Sequence, residues 1–306
     1  MEELPILLPN PGWDPRILAF RSADVVTVFA ILTRRWTLLV DTLYSSVGAL
    51  ELARQALQAA ALLHGGKAPP LLVVNTHADW DHAWGNQTFA GPEAAFPAPV
   101  LGTRECARRL RQAEDASELR AMQAREPQRF AGASLVPPSL AFEGPLEIDG
   151  GDLVAHLLPA PGHVPGQVVV WLPEIRHLLA ADAVEHPMPF VQGPGHLKDM
   201  METLEALQRL APLRVLACHD LLDGDPRLIQ KNLDYFSRVR EAARTHDGTD
   251  PQSPDLDRLL DLPFEEFCGG VPRQAWEFYR GAHLKALRAA LAEVQDPAGQ
   301  DGAPGC

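Results

Sequence analysis

The sequence predicts a protein of the α/β class, and three observations lead to this prediction. Between Val25 and Ala217, short apolar runs of strand length alternate with longer segments of helical composition. Hydrophobic residues make up 46% of the 306 residues and charged residues 22%, which is typical of a globular protein with a substantial core. Histidine and aspartate side chains follow several of the strand-like runs, where the loops of an α/β sheet come together.

The elements follow one another in a recognisable order. Strands are predicted at residues 25–32, 36–40, 71–74, 153–158, 167–172, 177–181 and 214–217. Helices are predicted at residues 47–63, 103–125 and 197–210, and further helices at residues 255–294. The first helix ends at His64-Gly65-Gly66, because glycine commonly follows a helix C-terminus. A turn-rich segment at residues 246–254 separates the C-terminal helices from the rest, and a disordered tail is expected at residues 296–306.

The charge and the cysteine content bear on the partners and the cellular compartment of the protein. Lys and Arg number 27 and Asp and Glu number 40, which gives a net charge of −13 and argues against nucleic acid or an anionic membrane as a partner. The N-terminus lacks a signal peptide pattern, and no apolar run is long enough to span a bilayer. Four scattered cysteines indicate reduced thiols. We therefore expect a cytoplasmic protein with a small-molecule substrate; its oligomeric state stays open, with a homodimer as one option.

The segment NTHADWDH at residues 75–82 directly follows the predicted strand 71–74. It contains four side chains that bind metals, His77, Asp79, Asp81 and His82. In an extended loop, residues 77, 79 and 81 would project to one side and residue 82 elsewhere, so one loop could serve two ions. The competing interpretation is a helix N-terminus, where aspartate caps free N–H groups. Capping explains the aspartates but does not require two histidines.

Three more residues of the same chemistry lie in the same local setting. His163 lies in the turn PAPGHVPG after strand 153–158, Asp182 ends strand 177–181, and His219 follows strand 214–217. A single histidine or aspartate after a strand is more often a hydrogen-bonded turn residue. Four such coincidences favour one shared site at the ends of the strands.

With these motifs the sequence resembles the metallo-β-lactamase superfamily of hydrolases. The matching segments are HADWDH at 77–82, PGHVPG at 161–166, AADAVE at 180–185 and ACHD at 217–220, in the order that the family shows. The segment LVDT at 39–42 is similar to the family's early aspartate turn. The resemblance runs from about residue 25 to residue 220 and implies a four-layer αβ/βα sandwich; the extra C-terminal helices after residue 250 are predicted from the residues themselves. We expect a catalytic domain at residues 1–245 and a helical extension at residues 246–295 that packs on it.

The resemblance also implies a dinuclear metal site. One ion would be bound by His77, Asp79 and His163, the other by Asp81, His82 and His219, and Asp182 would bridge both. Asp41 would support the site from outside the ligand set. Zinc is the expected metal, with iron or manganese as alternatives.

Asp79 departs from the family pattern, which usually has a second histidine there. Two divalent ions, three carboxylates and a bridging hydroxide sum to a charge of about 0, against about +1 for the usual ligand set. A less positive site favours harder cations, so iron or manganese gains weight. Flavin-linked diiron reductases of the family also place a carboxylate here, but nothing in this sequence resembles their flavodoxin-like domain. A degraded site that has lost one metal is the remaining interpretation.

The expected chemistry is hydrolysis of a small ester, thioester, lactone or amide by a metal-bridging hydroxide, with Asp81 as the catalytic residue that orients the nucleophile. Trp80, Trp84, His186 and Phe190 are candidates for the substrate pocket. Two alternatives stay open at this stage. One is a non-haem diiron redox enzyme of the oxygen or nitric oxide type, and the other is a metal-binding protein without catalysis.

Overall fold

A computed structural model describes residues 4–23, 25–130, 132–193, 195–219 and 222–295. The strands are β1 (Ile6–Leu7), β2 (Ile17–Ser22), β3 (Val26–Leu32), β4 (Thr37–Val40), β5 (Leu71–Val74), β6 (Val100–Thr103), β7 (Leu140–Phe142), β8 (Leu146–Asp149), β9 (Val154–Pro159), β10 (Val168–Leu172), β11 (His177–Ala181) and β12 (Arg214–Ala217). The α-helices are α1 (Ser46–Leu63), α2 (Trp80–Ala83), α3 (Arg104–Arg109), α4 (Ala113–Arg125), α5 (Pro127–Phe130), α6 (His196–Arg209), α7 (Leu228–Thr245), α8 (Leu256–Leu259) and α9 (Trp276–Gln295). The tail expected to be disordered, residues 296–306, lies outside the described residues.

The strands form two mixed sheets. Strands β1 to β7 lie in sequence order in the first sheet, antiparallel from β1 to β4 and parallel from β4 to β7. The second sheet has the order β12-β11-β10-β9-β8, and only its β11–β12 pair is parallel. The fold is therefore the α/β sandwich that the sequence predicts.

Strand β10 shows how the second sheet is buried on both faces. Val170 and Leu172 belong to the core that the two sheets share, whereas Val169 and Trp171 belong to the cluster formed with the outer helices α6, α7 and α9. Successive side chains of a strand point to opposite faces, so a run of five apolar residues is needed here. The first sheet is covered by α1, which presents its small residues Ala49, Ala53 and Ala56 to the core.

The C-terminal helices pack on the second sheet's helical layer. Leu287 and Leu291 of α9 lie in the same buried cluster as Phe236 and Val239 of α7. The division of the chain at residues 245 and 246 stays a prediction. Among the described helices, none has the combined length and hydrophobicity that crossing a bilayer requires.

The sequence-based assignment of elements is wrong in one segment and incomplete in others. The helix predicted at 103–125 is two helices, α3 and α4, because the chain turns at Leu110 and begins again after the extended residue Gln112. Strands β2, β6, β7 and β8 and helix α7 were not predicted. Three of these strands have only three or four residues, too few for a periodic pattern to stand out.

Two backbone hydrogen bonds join the sheets at one edge of the sandwich. Thr27 N–H of β3 donates to the carbonyl of Cys218 at 2.7 Å, and Val168 N–H of β10 donates to the carbonyl of Thr76 at 2.9 Å. The loops after β5, β9, β11 and β12 therefore begin at an edge where the two sheets are held together.

Candidate metal centre

The loops at this joined edge bring all seven predicted ligand side chains into one cluster. His77 and Asp79 follow β5, Asp81 and His82 lie in α2, His163 lies between β9 and β10, Asp182 follows β11, and His219 follows β12. Asp81 and His82 lie in helix α2 and not in the extended loop expected from the sequence, and the ring centroids of His77 and His82 are 4.1 Å apart. His77 groups with His163 and Asp182, and Asp81 groups with His82 and His219.

Each of the four histidines is fixed through its Nδ1 atom. The Nδ1 of His163 lies 2.9 Å from the Phe190 carbonyl oxygen, and that of His219 lies 2.8 Å from the Val25 carbonyl oxygen. A carbonyl oxygen can only accept, so both Nδ1 atoms carry the proton and donate it. The Nε2 atom of each ring is then left with a lone pair that can bind a metal.

Asp41 fixes the other two histidines. Its Oδ2 accepts from His82 Nδ1 at 2.8 Å and from the Thr76 hydroxyl at 2.8 Å, and its Oδ1 accepts from Thr76 N–H at 2.7 Å. Because the Thr76 hydroxyl proton points at Asp41, its oxygen accepts from His77 Nδ1 at 2.9 Å. Asp41 thus lies behind both His77 and His82, and its support of a metal site stays a prediction.

Asp182 lies at the centre of the four Nε2 atoms. Its Oδ1 is 3.2 Å from His82 Nε2, and its Oδ2 is 3.6 Å from His77 Nε2. The same Oδ2 is 3.5 Å from His163 Nε2 and 3.4 Å from His219 Nε2. One carboxylate that touches both histidine pairs is the arrangement expected of a bridging ligand.

The donor set fits a metal site. Three buried atoms that face this centre, His77 Nε2, His82 Nε2 and Asp182 Oδ1, have no hydrogen-bond partner among the described residues. An unpaired buried polar atom costs about 1–3 kcal/mol, so three of them in one place need an explanation. Imidazole and carboxylate are the ligands of zinc, iron and manganese. A divalent ion in each histidine group would satisfy all three atoms.

The pKa shifts show that the carboxylates favour positive charge at the centre of the cluster. Burial lowers the pKa of His163, but hydrogen bonding to Asp79 and the Asp182 charge raise it to about 9. Burial also acts against the charged form of His219, and Asp182 raises the pKa of this ring to about 10. The centre is therefore an electrostatic site for cations.

Asp79 has the environment of a ligand and not that of a helix cap. It is the N-cap residue of α2, but its side chain makes no capping hydrogen bond. Its Oδ2 lies 3.0 Å from His163 Nε2, and its Oδ1 lies 2.6 Å from Arg109 Nη1. Burial would raise the pKa of Asp79, but the neighbouring histidines and Arg109 hold it well below its ordinary value. The capping interpretation of the motif is not supported.

A cavity of about 570 Å³ opens onto the cluster. Trp80 and Phe190, two of the candidates for the substrate pocket, line it together with Phe278 of α9, and their contact with a substrate stays a prediction. The pocket prediction is wrong for Trp84, which is 1% exposed and packs against Phe130 in the core because α2 turns it inward. His186 is half-buried beside Gly270 and is not among the lining residues.

The sequence did not indicate three polar residues of the cavity, Arg109, Glu185 and Tyr279. The Tyr279 hydroxyl donates to Glu185 Oε1 at 2.8 Å, and burial raises the pKa of Glu185 to about 7. Cys218 lies next to the site, in a group with Asp41 and His82. Burial raises the pKa of the Cys218 thiol well above its ordinary value, so it stays protonated.

Comparisons with known proteins agree with this geometry. The family model described as the metallo-beta-lactamase superfamily matches residues 22–219, which include all seven side chains of the cluster. No curated protein matches the chain significantly. A beta-lactamase domain protein from Burkholderia ambifaria has a similar structure, with a TM-score of 0.63, 14% identity, and coverage of 93% of this chain and 88% of its own.

Two further solved structures are similar in fold. For a metallo-beta-lactamase family protein from Thermus thermophilus the TM-score is 0.58 and the identity 19%, over 97% of this chain and 94% of that one. For the DIM-1 metallo-beta-lactamase the TM-score is 0.53 and the identity 17%, over 76% of this chain and 96% of that one. At these identities the likeness concerns the fold alone.

Proposed function

Since the chain belongs to the metallo-beta-lactamase superfamily, we propose that it is a metal-dependent hydrolase that acts on a small ester, thioester, lactone or amide with two divalent ions in its His/Asp cluster. The family match and the buried cluster support metal binding. The proposal goes further in two respects, that the bound metals catalyse hydrolysis and that the substrate belongs to one of these classes. Zinc is the metal we expect first.

The observation that carries the proposal is the common orientation of the four histidines. Every Nδ1 faces an acceptor, so every Nε2 can offer a lone pair, and each Nε2 lies 3.2–3.6 Å from an oxygen of Asp182. Bound divalent ions supply an acidic water and polarise the carbonyl oxygen of a substrate. The protein contributes a fixed ligand geometry, because the acceptors behind the rings hold them in place.

Asp81 and Glu185 are the proposed groups for proton movement. Asp81 Oδ2 lies 3.6 Å from His219 Nε2 and faces the cavity, where it can orient a water and take up its proton. Glu185 lies in the cavity wall, held by Tyr279, and a carboxyl with a pKa of about 7 can donate a proton to a leaving group. Replacement of Glu185 by Gln is expected to lower kcat most for substrates with poor leaving groups.

The cavity favours a small substrate. Its volume of about 570 Å³ is that of a pocket for a small molecule. The aromatic rings of Trp80, Phe190 and Phe278 are among its lining, which fits an acyl or aromatic group, and Arg129 adds a positive charge to the wall.

The test is metal content followed by turnover. The protein is expressed with zinc, iron and manganese present, its bound metals are measured, and panels of esters, thioesters, lactones and amides are assayed. We expect two ions per chain and hydrolysis that His77→Ala with His163→Ala abolishes. His64→Ala, which removes a half-buried histidine at the end of α1 and outside the cluster, is the matched control for loss of imidazole. Binding of no transition metal would refute the proposal, and two bound metals without turnover would favour a metal-binding protein without catalysis.

Asp79 favours a second candidate, a non-haem diiron redox enzyme. A third carboxylate near the ions suits iron better than the usual histidine does. A protein that binds two irons, absorbs in the visible range and reacts with oxygen or nitric oxide would support this candidate. A colourless two-zinc protein with hydrolytic turnover would exclude it.

A further inference from the structure

We propose that Asp79 and Arg109 act as one unit, in which the guanidinium neutralises the aspartate so that the pair replaces the neutral histidine usual at position 79. Arg109 is a positioning residue in this proposal, because it acts on the metals through Asp79. The inference rests on the proposed metal site and does not require hydrolysis.

The contacts divide the two oxygens of Asp79 between different partners. Oδ1 accepts from Arg109 Nη1 at 2.6 Å, while Oδ2 lies 3.0 Å from His163 Nε2 and 3.7 Å from His77 Nε2. A free carboxylate can offer both oxygens to a metal. Here the guanidinium occupies one of them, so a single oxygen faces the ion, as the single nitrogen of a histidine would.

Arg109 is itself held in place. Its side chain is 19% exposed, and its Nη2 lies 3.1 Å from Asp115 Oδ1 on α4. The guanidinium fork is planar and always charged, so two carboxylates on either side fix its orientation. Burial raises the pKa of Asp115, and Arg109 acts in the opposite direction. Glu118 faces the same guanidinium from α4 and is exposed to solvent.

The charge at the centre then returns to its usual value. Three carboxylates and a hydroxide bring two divalent ions to a sum of about 0, and the guanidinium restores about +1. The Arg109–Asp79 ion pair is partly buried next to the proposed ions, where it is screened less than a pair on the surface. Arg129 is the informative contrast, because it lines the same cavity but bonds to Glu126 and packs over Tyr44.

A double-mutant cycle tests the pair. Zinc affinity and stoichiometry are measured by competition with a chromogenic chelator for the natural chain, Asp79→His, Arg109→Leu and the double variant. Asp79→His leaves the Arg109 guanidinium beside the cations with Asp115 but without Asp79, so we expect zinc affinity to fall by about tenfold to a hundredfold. The double variant should recover to within about threefold of the natural chain, because a neutral histidine then stands at position 79 with no guanidinium beside it.

The control cycle combines Asp79→His with Arg129→Leu and should be additive. Thermal unfolding of the metal-free proteins checks that each variant folds. Should Arg109→Leu not fold, Arg109→Gln repeats the cycle with a hydrogen-bond donor kept for Asp115. A natural chain that binds none of zinc, iron and manganese would refute the proposed function as well. A natural chain that binds two zinc ions, together with an additive Asp79/Arg109 cycle, would overturn the pairing alone and leave the metal site standing.

Discussion

Replacement of Asp41 by asparagine should weaken metal binding without disturbing the fold. Asp41 has φ = +70°, a conformation that asparagine tolerates better than most residues do, so the change adds little backbone strain. An amide has one acceptor oxygen, and three donors converge on Asp41, two from Thr76 and one from His82. If the amide oxygen stays with Thr76 N–H, the amide NH₂ faces His82 Nδ1. The ring must then accept at Nδ1 and carry its proton on Nε2, the atom proposed to bind metal.

The magnitude follows from these contacts. Loss of the acceptor behind a ligating histidine typically costs ten- to a hundredfold in metal affinity, which is about 1.4–2.7 kcal/mol. Asp41 is buried and supports His77 as well, through Thr76, so the upper half of this range is expected.

The assay is zinc competition against a chromogenic chelator, with metal-free unfolding by urea in parallel. Asp199→Asn, an exposed aspartate of α6, is the matched control for the same chemical change and should leave zinc affinity unaltered. An Asp41→Asn protein that binds two zinc ions as tightly as the natural chain would refute the argument that Asp41 sets the His82 tautomer.

Three further predictions concern stability. Removal of metal by a chelator should lower Tm by about 5–10 °C, because occupancy at 100 times Kd contributes about 2.7 kcal/mol per site; calorimetry that shows no shift would contradict metal binding to the native state. Gly85→Ala should destabilise the fold by about 3 kcal/mol, since its Cβ would lie 2.0 Å from the Thr42 carbonyl oxygen, while Gly281→Ala in α9, with open space around it, should stabilise by about 0.5–1 kcal/mol in urea unfolding. Burial lowers the pKa of His283, so the unfolded chain binds its proton first and the free energy of unfolding should fall as pH drops below about 6.5. His283→Gln should reduce this slope, and an unchanged slope would exclude His283 as its source.

The seven residues of the His/Asp cluster were predictable from the sequence because each lies within a few residues of a strand end. Strand and ligand are local in sequence, and parallel or neighbouring strands end at a common edge. For His163, Asp182 and His219 it was therefore enough to recognise the strand before each of them. The alternation of sheets and helices was predictable for the same reason, since buried strands such as β5 and β10 are continuous apolar runs.

Residues that reach the site across the fold were not predictable in this way. Arg109 is 30 residues from Asp79, and Tyr279 is 94 residues from Glu185, so only tertiary packing brings each pair together. The prediction that Trp84 lines the pocket was wrong for a local reason. A four-residue helix rotates the chain after Asp79, and a large apolar side chain near a motif suits the core as well as it suits a pocket.

The proposed ligands come from both sheets, so the site depends on contacts between residues that are far apart in the sequence. His77, Asp81 and His82 come from the first sheet, whereas His163, Asp182 and His219 come from the second. Ions bound between them would join the two sheets at the edge where Thr27 and Val168 already do so by hydrogen bonds. Metal binding and packing of the sandwich are then linked, because free energy gained from the ions is gained only when both sheets are in register. A substitution among the proposed ligands, such as aspartate for histidine at position 79, changes the electrostatics at the edge where the two sheets meet. It changes metal binding at the same time. Its compensation by Arg109 from a third element, α3, is the kind of remote change that this linkage favours.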